Sequence, residues 1–239
     1  MEAILLAGGL GTRLAGRLHG VPKPMAPIAG RPFLEFLLGQ LHQSGCVRIF
    51  LSVGHLHTVI QNHFGDFFHG MALHYVIEPT PLGTGGAIRA ALAQAQESSV
   101  LVLNGDTFLQ VDHAGLLRAH VQMRSRLTLA VSQQANIARY GGVVLTEDRV
   151  TGFTEKGRSG AGWINAGVYA VQREFPWPPD LPEKFSFETD VLATHLQQIA
   201  PAAYRSDGYF LDIGVPEDLD RAQIELAALA QAPPDTLIR

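Results

Sequence analysis

The sequence predicts an α/β fold, a mostly parallel sheet covered by helices that runs on into a smaller antiparallel block, and three observations predict it. Apolar runs of strand length alternate with amphipathic segments of helix length through the first half. A glycine-rich stretch, "GGLGTR" at 8–13, stands at the carboxyl end of the first run, where open α/β sheets bind ligands. From residue 126 to 171, four strand-like runs follow one another with little helix between them.

"EAILLA" (2–7) is the first strand. In "PFLEFLLGQLHQSG" (32–45), Phe33, Leu34, Leu37, Leu38 and Leu41 share one helical face, and Gly45 supplies a C-cap. The strand "RIFLSVG" (48–54), a helix around "HTVIQNHFGD" (57–66), the strand "LHYVIE" (73–78), a helix through "GGAIRAALAQAQ" (85–96) and the strand "VLVLNGD" (100–106) complete a doubly wound layout. One more helix runs from Asp112 to about Met123. The antiparallel block is then "RLTLAVS" (126–132), "GGVVLT" (141–146), "RVTGFTE" (149–155) and "GWINAGVYAV" (162–171). "PWPPDLP" (176–182) is too rich in proline for helix or inner strand and is read as a loop. A helix over "FETDVLATHLQQI" (187–199), a strand "GYFLDIG" (208–214) and a helix from about Glu217 follow, and "QAPPDTLIR" (231–239) is expected to fray. The expected organisation is one domain, 1–239, in two parts, 1–125 and 126–225.

Composition narrows the function. With 239 residues, 46% hydrophobic and 17% charged, the chain can bury a full core. Its net charge of −4 offers no basic surplus, so neither nucleic acid nor an anionic membrane is an expected partner. No apolar run has the length of a membrane span, "MEAILLAGG" lacks the basic region of a signal peptide, and the expected compartment is the cytoplasm. Cys46 is alone, which removes a disulfide framework or a multi-cysteine zinc site, and in "SGCVRIF" it opens a buried strand rather than serving as a nucleophile. His55, His57 and His63 have no acidic or thiolate partner fixed by spacing and are read as surface residues.

The glycine loop fits neither common phosphate cradle. Counting from Gly9 and Gly11, the dinucleotide fingerprint needs a third glycine where Leu14 stands. A Walker A loop counted from Gly11 to Gly16 then meets Arg17 and Leu18 instead of Lys and Ser/Thr. What remains is a loop of backbone N–H groups able to wrap a phosphate chain, with Arg13 and Lys23 as its two cations. Pro22 and Pro24 hold Lys23 in a restricted segment, lowering the entropy it loses on gripping a ligand.

"LAGGLGTRL" (6–14) with "VPKPMAPIAGRPFLEF" (21–36) resembles the signature of the sugar-1-phosphate nucleotidylyltransferases. "PLGTGGAI" (81–88), "LVLNGDT" (101–107), "FTEK" (153–156), "WINAGVY" (163–169) and "DIGVPEDL" (212–219) follow in that family's order, six matches across nearly the whole chain. Within the family, "LGTGGAI", "KFSFETDVL" and "YFLDIGVPEDL" look most like the bacterial D-glycero-α-D-manno-heptose 1-phosphate guanylyltransferases. The resemblance implies a Rossmann-like three-layer α/β/α nucleotidyltransferase fold. It also implies an enzyme that joins a nucleoside triphosphate, here GTP, to a sugar 1-phosphate, releasing GDP-heptose and pyrophosphate. A UTP- or dTTP-using enzyme acting on another sugar 1-phosphate, such as a hexose or N-acetylmuramate 1-phosphate, is the alternative. A non-catalytic nucleotide-sugar-binding homologue is the other; a homodimer is compatible with either.

That reaction brings two polyanions together, and two unit charges ~4 Å apart repel by about 4 kcal/mol at an effective dielectric of ~20. Neutralisation and placement are therefore the main catalytic tasks. The resemblance assigns catalysis to Arg13, Lys23 and Asp106, and a Mg²⁺ ion to Asp106 and Asp212, each of which ends a predicted strand. It assigns the nucleotide to Leu6, Ala7, Gly8, Gly9, Gly11, Thr12 and Arg13, to Glu78, Gly83 and Thr84, and to Asn104 and Gly105. Gly83, Gly85 and Gly86 are expected to let the main chain approach the aromatic base. The sugar phosphate is assigned to Glu155, Lys156, Asn165, Gly167, Glu188 and Asp190, of which the last two also suit a helix N-terminus.

Overall fold

Strand β1 (Glu2–Leu6) divides its side chains between two faces: Ala3 and Leu5 enter one apolar cluster and Ile4 enters the other. In the computed structural model, which describes residues 1–9, 14–18 and 20–231, those clusters become the two helical layers around a mixed sheet.

The short helix α1 (Ala15–Leu18) and a 3₁₀ turn at Lys23–Met25 lead to a small hairpin, β2 (Pro27–Ile28) and β3 (Arg31–Pro32). Helix α2 (Phe33–Gln43) buries Phe33, Leu34, Leu37, Leu38 and Leu41 completely. Each of those side chains contributes about 2 kcal/mol of apolar transfer. Its end is a Schellman motif, with Gly45 at φ +83, Gly45 N–H donating to His42 O and Cys46 N–H to Leu41 O. Cys46 is buried, and burial pushes its thiol up to about 11.

Next come β4 (Arg48–Val53), α3 (His57–Phe64), β5 (Phe67–Phe68), β6 (Met71–Ile77), α4 (Gly83–Leu92), β7 (Ser99–Asn104), β8 (Thr107–Leu109) and α5 (His113–Gln122). The second half adds β9 (Leu127–Gln134), β10 (Gly142–Thr146), β11 (Arg149–Thr154) and β12 (Gly162–Gln172). A π-helix (Phe187–Ala193), α6 (Leu196–Ile199), β13 (Ala202–Ser206), β14 (Phe210–Asp212) and α7 (Pro216–Gln231) end the described chain.

Ten strands form one sheet in the order β10-β11-β13-β9-β12-β7-β1-β4-β6-β5. The β7-β1-β4-β6 segment is parallel, as the alternation of strands and helices predicts. The antiparallel block joins the same sheet through β12, which runs antiparallel to both β7 and β9. α2, α3, α5 and α7 pack their buried residues into one layer; α4, the π-helix and α6 pack into the other.

Several elements depart from expectation. β13 is a strand that sequence patterning misses, because "AAYRS" is short and alanine-rich, and it pairs parallel with β9 inside the antiparallel block. The helix expected over 187–199 is a π-helix that stops at Ala193 and resumes as α6. β14 does not join the main sheet; it pairs with β8, three residues too few to carry a pattern. The tail expected to fray lies, from 232 on, outside the described residues. Among the described residues no helix is long and apolar enough to cross a membrane.

At the start of α5, Asp112 Oδ1 accepts from Gly115 N–H at 2.8 Å as the N-cap. Beside it His113 is buried, with Nδ1 3.0 Å from Ser44 Oγ and Nε2 without a partner among the described residues. Burial pushes His113 down from 6.5 to about 4, against the opposing pull of Asp112. The unfolded chain therefore takes up this proton near 6.5 and the folded chain only near 4, so stability falls as pH is lowered between those values. Urea midpoints measured across that window should fall less in His113→Gln than in the wild type; parallel curves would remove His113 as a source of acid sensitivity.

Candidate active site

Asp106 and Asp212 lie more than a hundred residues apart in the chain, and the β8–β14 ribbon brings them together. Gly105 makes the turn out of β7: its N–H donates to Leu6 O at 3.0 Å, and any Cβ there would overlap that carbonyl. β8 then pairs antiparallel with β14 in the register Asp212 opposite Thr107, and Ile213 N–H donates to Asp106 O at 3.0 Å. The two carboxylates thus stand at one end of the same ribbon. Burial pushes the Asp212 carboxyl up from its ordinary value and the negative charge of Asp106 pushes it the same way, while Lys23 and Arg139 pull it back.

Two cations restrain the pair. Lys23, in the turn bracketed by Pro22 and Pro24, is largely buried and its Nζ lies 2.6 Å from Asp106 Oδ2. Arg139, which sequence reasoning missed, places Nη2 3.2 Å from Asp212 Oδ2 and donates through Nη1 to Asp218. The segment "NIAR" (136–139) lies between the strands expected at 126–132 and 141–146 and carries no residue pattern that points to Asp212.

In front of Asp106 opens a cavity of about 280 Å³ at the carboxyl ends of β1 and β7. Leu6, Gly8, Gly9, Lys23, Glu78, Gly83, Thr84, Asn104, Gly105 and Asp106 all line it, so most of the expected nucleotide residues meet at one place. Ala7 does not: it is buried in the core on the α2 side and its N–H donates to Ser52 O. Gly11, Thr12 and Arg13 lie outside the described residues. Glu78 is fixed at both oxygens, Oε1 accepting from Ser52 Oγ and Oε2 from Leu82 N–H, each at 2.9 Å. A Cβ on Gly8 would stand 2.8 Å from Glu78 Oε1, so glycine there keeps the carboxylate in place. The Asn104 Oδ1 is buried with no partner among the described residues, a spare acceptor beside the cavity.

The glycines of "LGTGG" correct the expectation made for them. Gly83 lines the cavity, but the aromatic ring against which Gly85 lies is the chain's own Phe185. A Cβ on Gly83 would stand 2.5 Å from Phe185 O, one on Gly85 would overlap the Phe185 ring, and one on Gly86 would stand 2.7 Å from Glu183 O. Phe185 N–H donates to Leu82 O and Gly85 N–H to Phe185 O, both at 3.0 Å, so the segment before the π-helix is clamped on the glycine loop.

That clamp carries Glu188 into the site. Glu188 Oε2 accepts from Thr84 Oγ1 at 2.6 Å, and Oε1 lies 3.5 Å from the Tyr169 hydroxyl, which accepts from Asn165 Nδ2 at 2.8 Å. Tyr169 is fully buried, which holds its hydroxyl well above the ordinary value, and the nearby Glu188 charge adds to the shift. A bulge in β12 between Asn165 and Tyr169 turns Gly167 to φ +69, where a Cβ would stand 2.7 Å from Asn104 Nδ2. Asn165, Gly167 and Glu188 are therefore joined to the cavity through Asn104 and Thr84. Asp190 is not: it is exposed and accepts from Ser186 N–H at 2.7 Å, as a helix-terminal cap. Glu155 and Lys156 are exposed after β11, on a loop tied to the Arg139 turn by Gly157 N–H to Ala138 O at 2.7 Å. His55 and His57 line a neighbouring cavity of about 320 Å³, and among the described residues no group of three or more His, Cys, Asp or Glu side chains could hold a metal.

Glycines lining a cavity at the carboxyl ends of parallel strands, with two carboxylates on a ribbon beside them, fit the nucleotidyltransferase class. The chain belongs to the nucleotidyl transferase family, whose profile matches residues 2–228. It is 42% identical over 95% of its length to the D-glycero-α-D-manno-heptose 1-phosphate guanylyltransferase of Aneurinibacillus thermoaerophilus, 98% of which is covered. The enzyme of the same name from Campylobacter jejuni is also 42% identical, over 91% of this chain and 96% of its own. The crystal structure of HddC from Yersinia pseudotuberculosis complexed with GMP-PN superposes with a TM-score of 0.82 at 34% identity, covering 94% of this chain and 99% of that one. The six-motif resemblance and the three-layer fold it implies are thereby confirmed.

Gly85→Ala should destabilise the protein by about 1–3 kcal/mol in urea unfolding, since the added methyl must displace Phe185. Gly16→Ala, with nothing within 4 Å of its Cβ, is the control and should be neutral or stabilising. Equal effects at both positions would show that the clamp does not constrain Gly85.

Proposed function

We propose that this chain joins GTP to D-glycero-α-D-manno-heptose 1-phosphate, giving GDP-heptose and pyrophosphate. The observation that carries the reading is a cavity lined by Gly8, Gly9, Lys23 and Asp106, with the Asp212 carboxylate close enough to feel the charges of Lys23 and Asp106. The guanosine and heptose parts of it rest on the relatives that carry this activity in their names.

In this reading the triphosphate lies along the loop 8–13, held by its backbone N–H groups and by Arg13 on the β- and γ-phosphates. The base lies toward Gly83 and Glu78, whose fixed carboxylate is a hydrogen-bond acceptor at the cavity wall. Lys23 stands where its ammonium can leave Asp106 for the α-phosphate and the attacking oxygen, bringing nucleophile and electrophile together. Asn165, Gly167 and Glu188 receive the sugar hydroxyls, and Lys156, with Glu155 beside it, closes on the sugar phosphate. Residues 1–125 then hold mainly the nucleotide and 126–225 mainly the sugar, within one unit. The reaction is an in-line displacement by a phosphate oxygen of the sugar 1-phosphate, with no covalent protein intermediate.

The residues fit a Mg²⁺ ion: Asp106 and Asp212 offer hard carboxylate oxygens side by side, and this ion takes one or two such groups plus phosphate and water. When bound, the ion would supply neutralisation of the converging phosphates. Asp106 and Asp212 would hold the ion, and Lys23 and Arg139 offset their mutual repulsion in its absence. The proposed setting is the cytoplasm, with a homodimer compatible with the fold.

Pyrophosphate release measured with Mg²⁺, each NTP and a panel of sugar 1-phosphates tests the reading. GTP with the heptose 1-phosphate should be the best pair; a preference for UTP or dTTP would overturn the base assignment, and silence with every pair would indicate a binding protein. Asp106→Asn should lower turnover by on the order of a thousandfold while the thermal midpoint stays within a few degrees. Lys156→Ala should raise the KM of the sugar 1-phosphate at least several-fold more than that of GTP, and an equal effect on both would remove it from the sugar site.

A further inference from the structure

Arg139, unlike Lys23, is committed on several sides at once. It projects from a turn that is itself rigid: Tyr140 and Gly141 N–H both donate to Ile137 O, Ile137 N–H donates to Gly160 O, and Ala138 N–H donates to Asn136 Oδ1, each at 3.0 Å. From there Nη2 reaches both the Asp212 carboxylate and the Asp212 backbone carbonyl, each at 3.2 Å, while Nη1 donates to Asp218 Oδ2. The guanidinium carbon lies 5.1 Å from the Tyr140 ring, which packs edge-on against Phe210 of β14 at 5.4 Å. Asp218 is in turn held at its other oxygen by Arg221 at 2.9 Å. The remaining oxygen of Asp212, Oδ1, accepts from Gly214 N–H at 2.7 Å, so both oxygens of this carboxylate are anchored.

Charge alone does not require this construction. A single lysine ammonium would offset Asp212 as Lys23 offsets Asp106, but only a planar fork can hold the side chain, its own carbonyl and the first turn of α7 in one geometry. We propose that Arg139 is a positioning residue: its guanidinium aims the Asp212 carboxylate beside Asp106 and thereby sets how tightly the pair grips a divalent cation. The inference rests on the reading of Asp106 and Asp212 as the metal carboxylates. It also means that the turn joining β9 to β10, in the sugar-side half, governs a metal carboxylate assigned to the reaction centre. Because Gly157 N–H donates to Ala138 O within this turn, the Lys156 loop is braced on the same support.

The test keeps the charge and removes the fork. Arg139→Lys, Asp218→Asn and Asp212→Asn are compared with the wild type by titration with Mn²⁺ alone, free ion being counted by electron paramagnetic resonance, with thermal midpoints as the folding control. Arg139→Lys should weaken Mn²⁺ binding on the order of tenfold or more, the usual consequence of losing the group that orients a metal ligand. Asp218→Asn leaves Arg139 in place, removes one of its anchors and should weaken binding in the same direction, which keeps the test alive if Arg139→Lys folds poorly. In turnover, Arg139→Lys should raise the Mg²⁺ concentration for half-maximal rate while leaving the KM for GTP within about twofold. Wild-type or tighter Mn²⁺ binding by Arg139→Lys and Asp218→Asn, with binding lost in Asp212→Asn, would overturn the positioning role alone. Unchanged binding in Asp212→Asn would overturn the metal reading and this inference with it.

Discussion

Two carboxylates that repel each other are held side by side, and much of the structure exists to keep them there. Asp106 and Asp212 share one end of the β8–β14 ribbon, with Lys23 on one and Arg139 on the other. That proximity has a cost: the negative charge of Asp106 pushes the Asp212 carboxyl up from its ordinary value. The cation on each carboxylate offsets that cost in the absence of substrate.

The ribbon can do this because the main sheet presents its exit there. β1 and β7 are parallel neighbours, and the close approach of Gly105 to Leu6 O turns the chain out of β7 directly into β8. Helix α7 then ties the periphery to the same point. Asp218 binds Arg139, Gln223 Nε2 donates to Pro27 O and Gln223 Oε1 accepts from Ala29 N–H, so the segment carrying Lys23 and the turn carrying Arg139 share one helix as their support. Strand β12 is coupled to the cavity in a comparable way, through Thr84, Glu188, Tyr169 and Asn165 in one hydrogen-bonded chain.

What the sequence made legible was local. The parallel half was readable because buried strands such as "VLVLN" and the amphipathic face of α2 carry their own periodicity, and Gly45 ends α2 with a backbone conformation that glycine favours. Lys23, Asp106 and Glu78 were readable because each falls in a loop at the end of a strand-like run. Pairings between distant segments left no such mark. Nothing in "TFL" announces that it will pair with "FLD", nothing in "ANIARYGG" announces that its arginine reaches Asp212, and the glycines of "LGTGG" look like a ligand loop although two of them are small chiefly to admit Phe185 and Glu183. Asp190 shows the converse, an acidic residue in a recognisable motif whose position is accounted for by capping.

The most direct measurement is a crystal grown with Mn²⁺, a non-reactive GTP analogue and the sugar 1-phosphate, with the ion located by its anomalous scattering. The account predicts one peak within coordination distance of oxygens from both Asp106 and Asp212 and from the α-phosphate, with the Lys23 ammonium moved off Asp106 toward that phosphate. A peak that touches neither carboxylate, or two side chains turned away from each other around an ion held by phosphate alone, would contradict it.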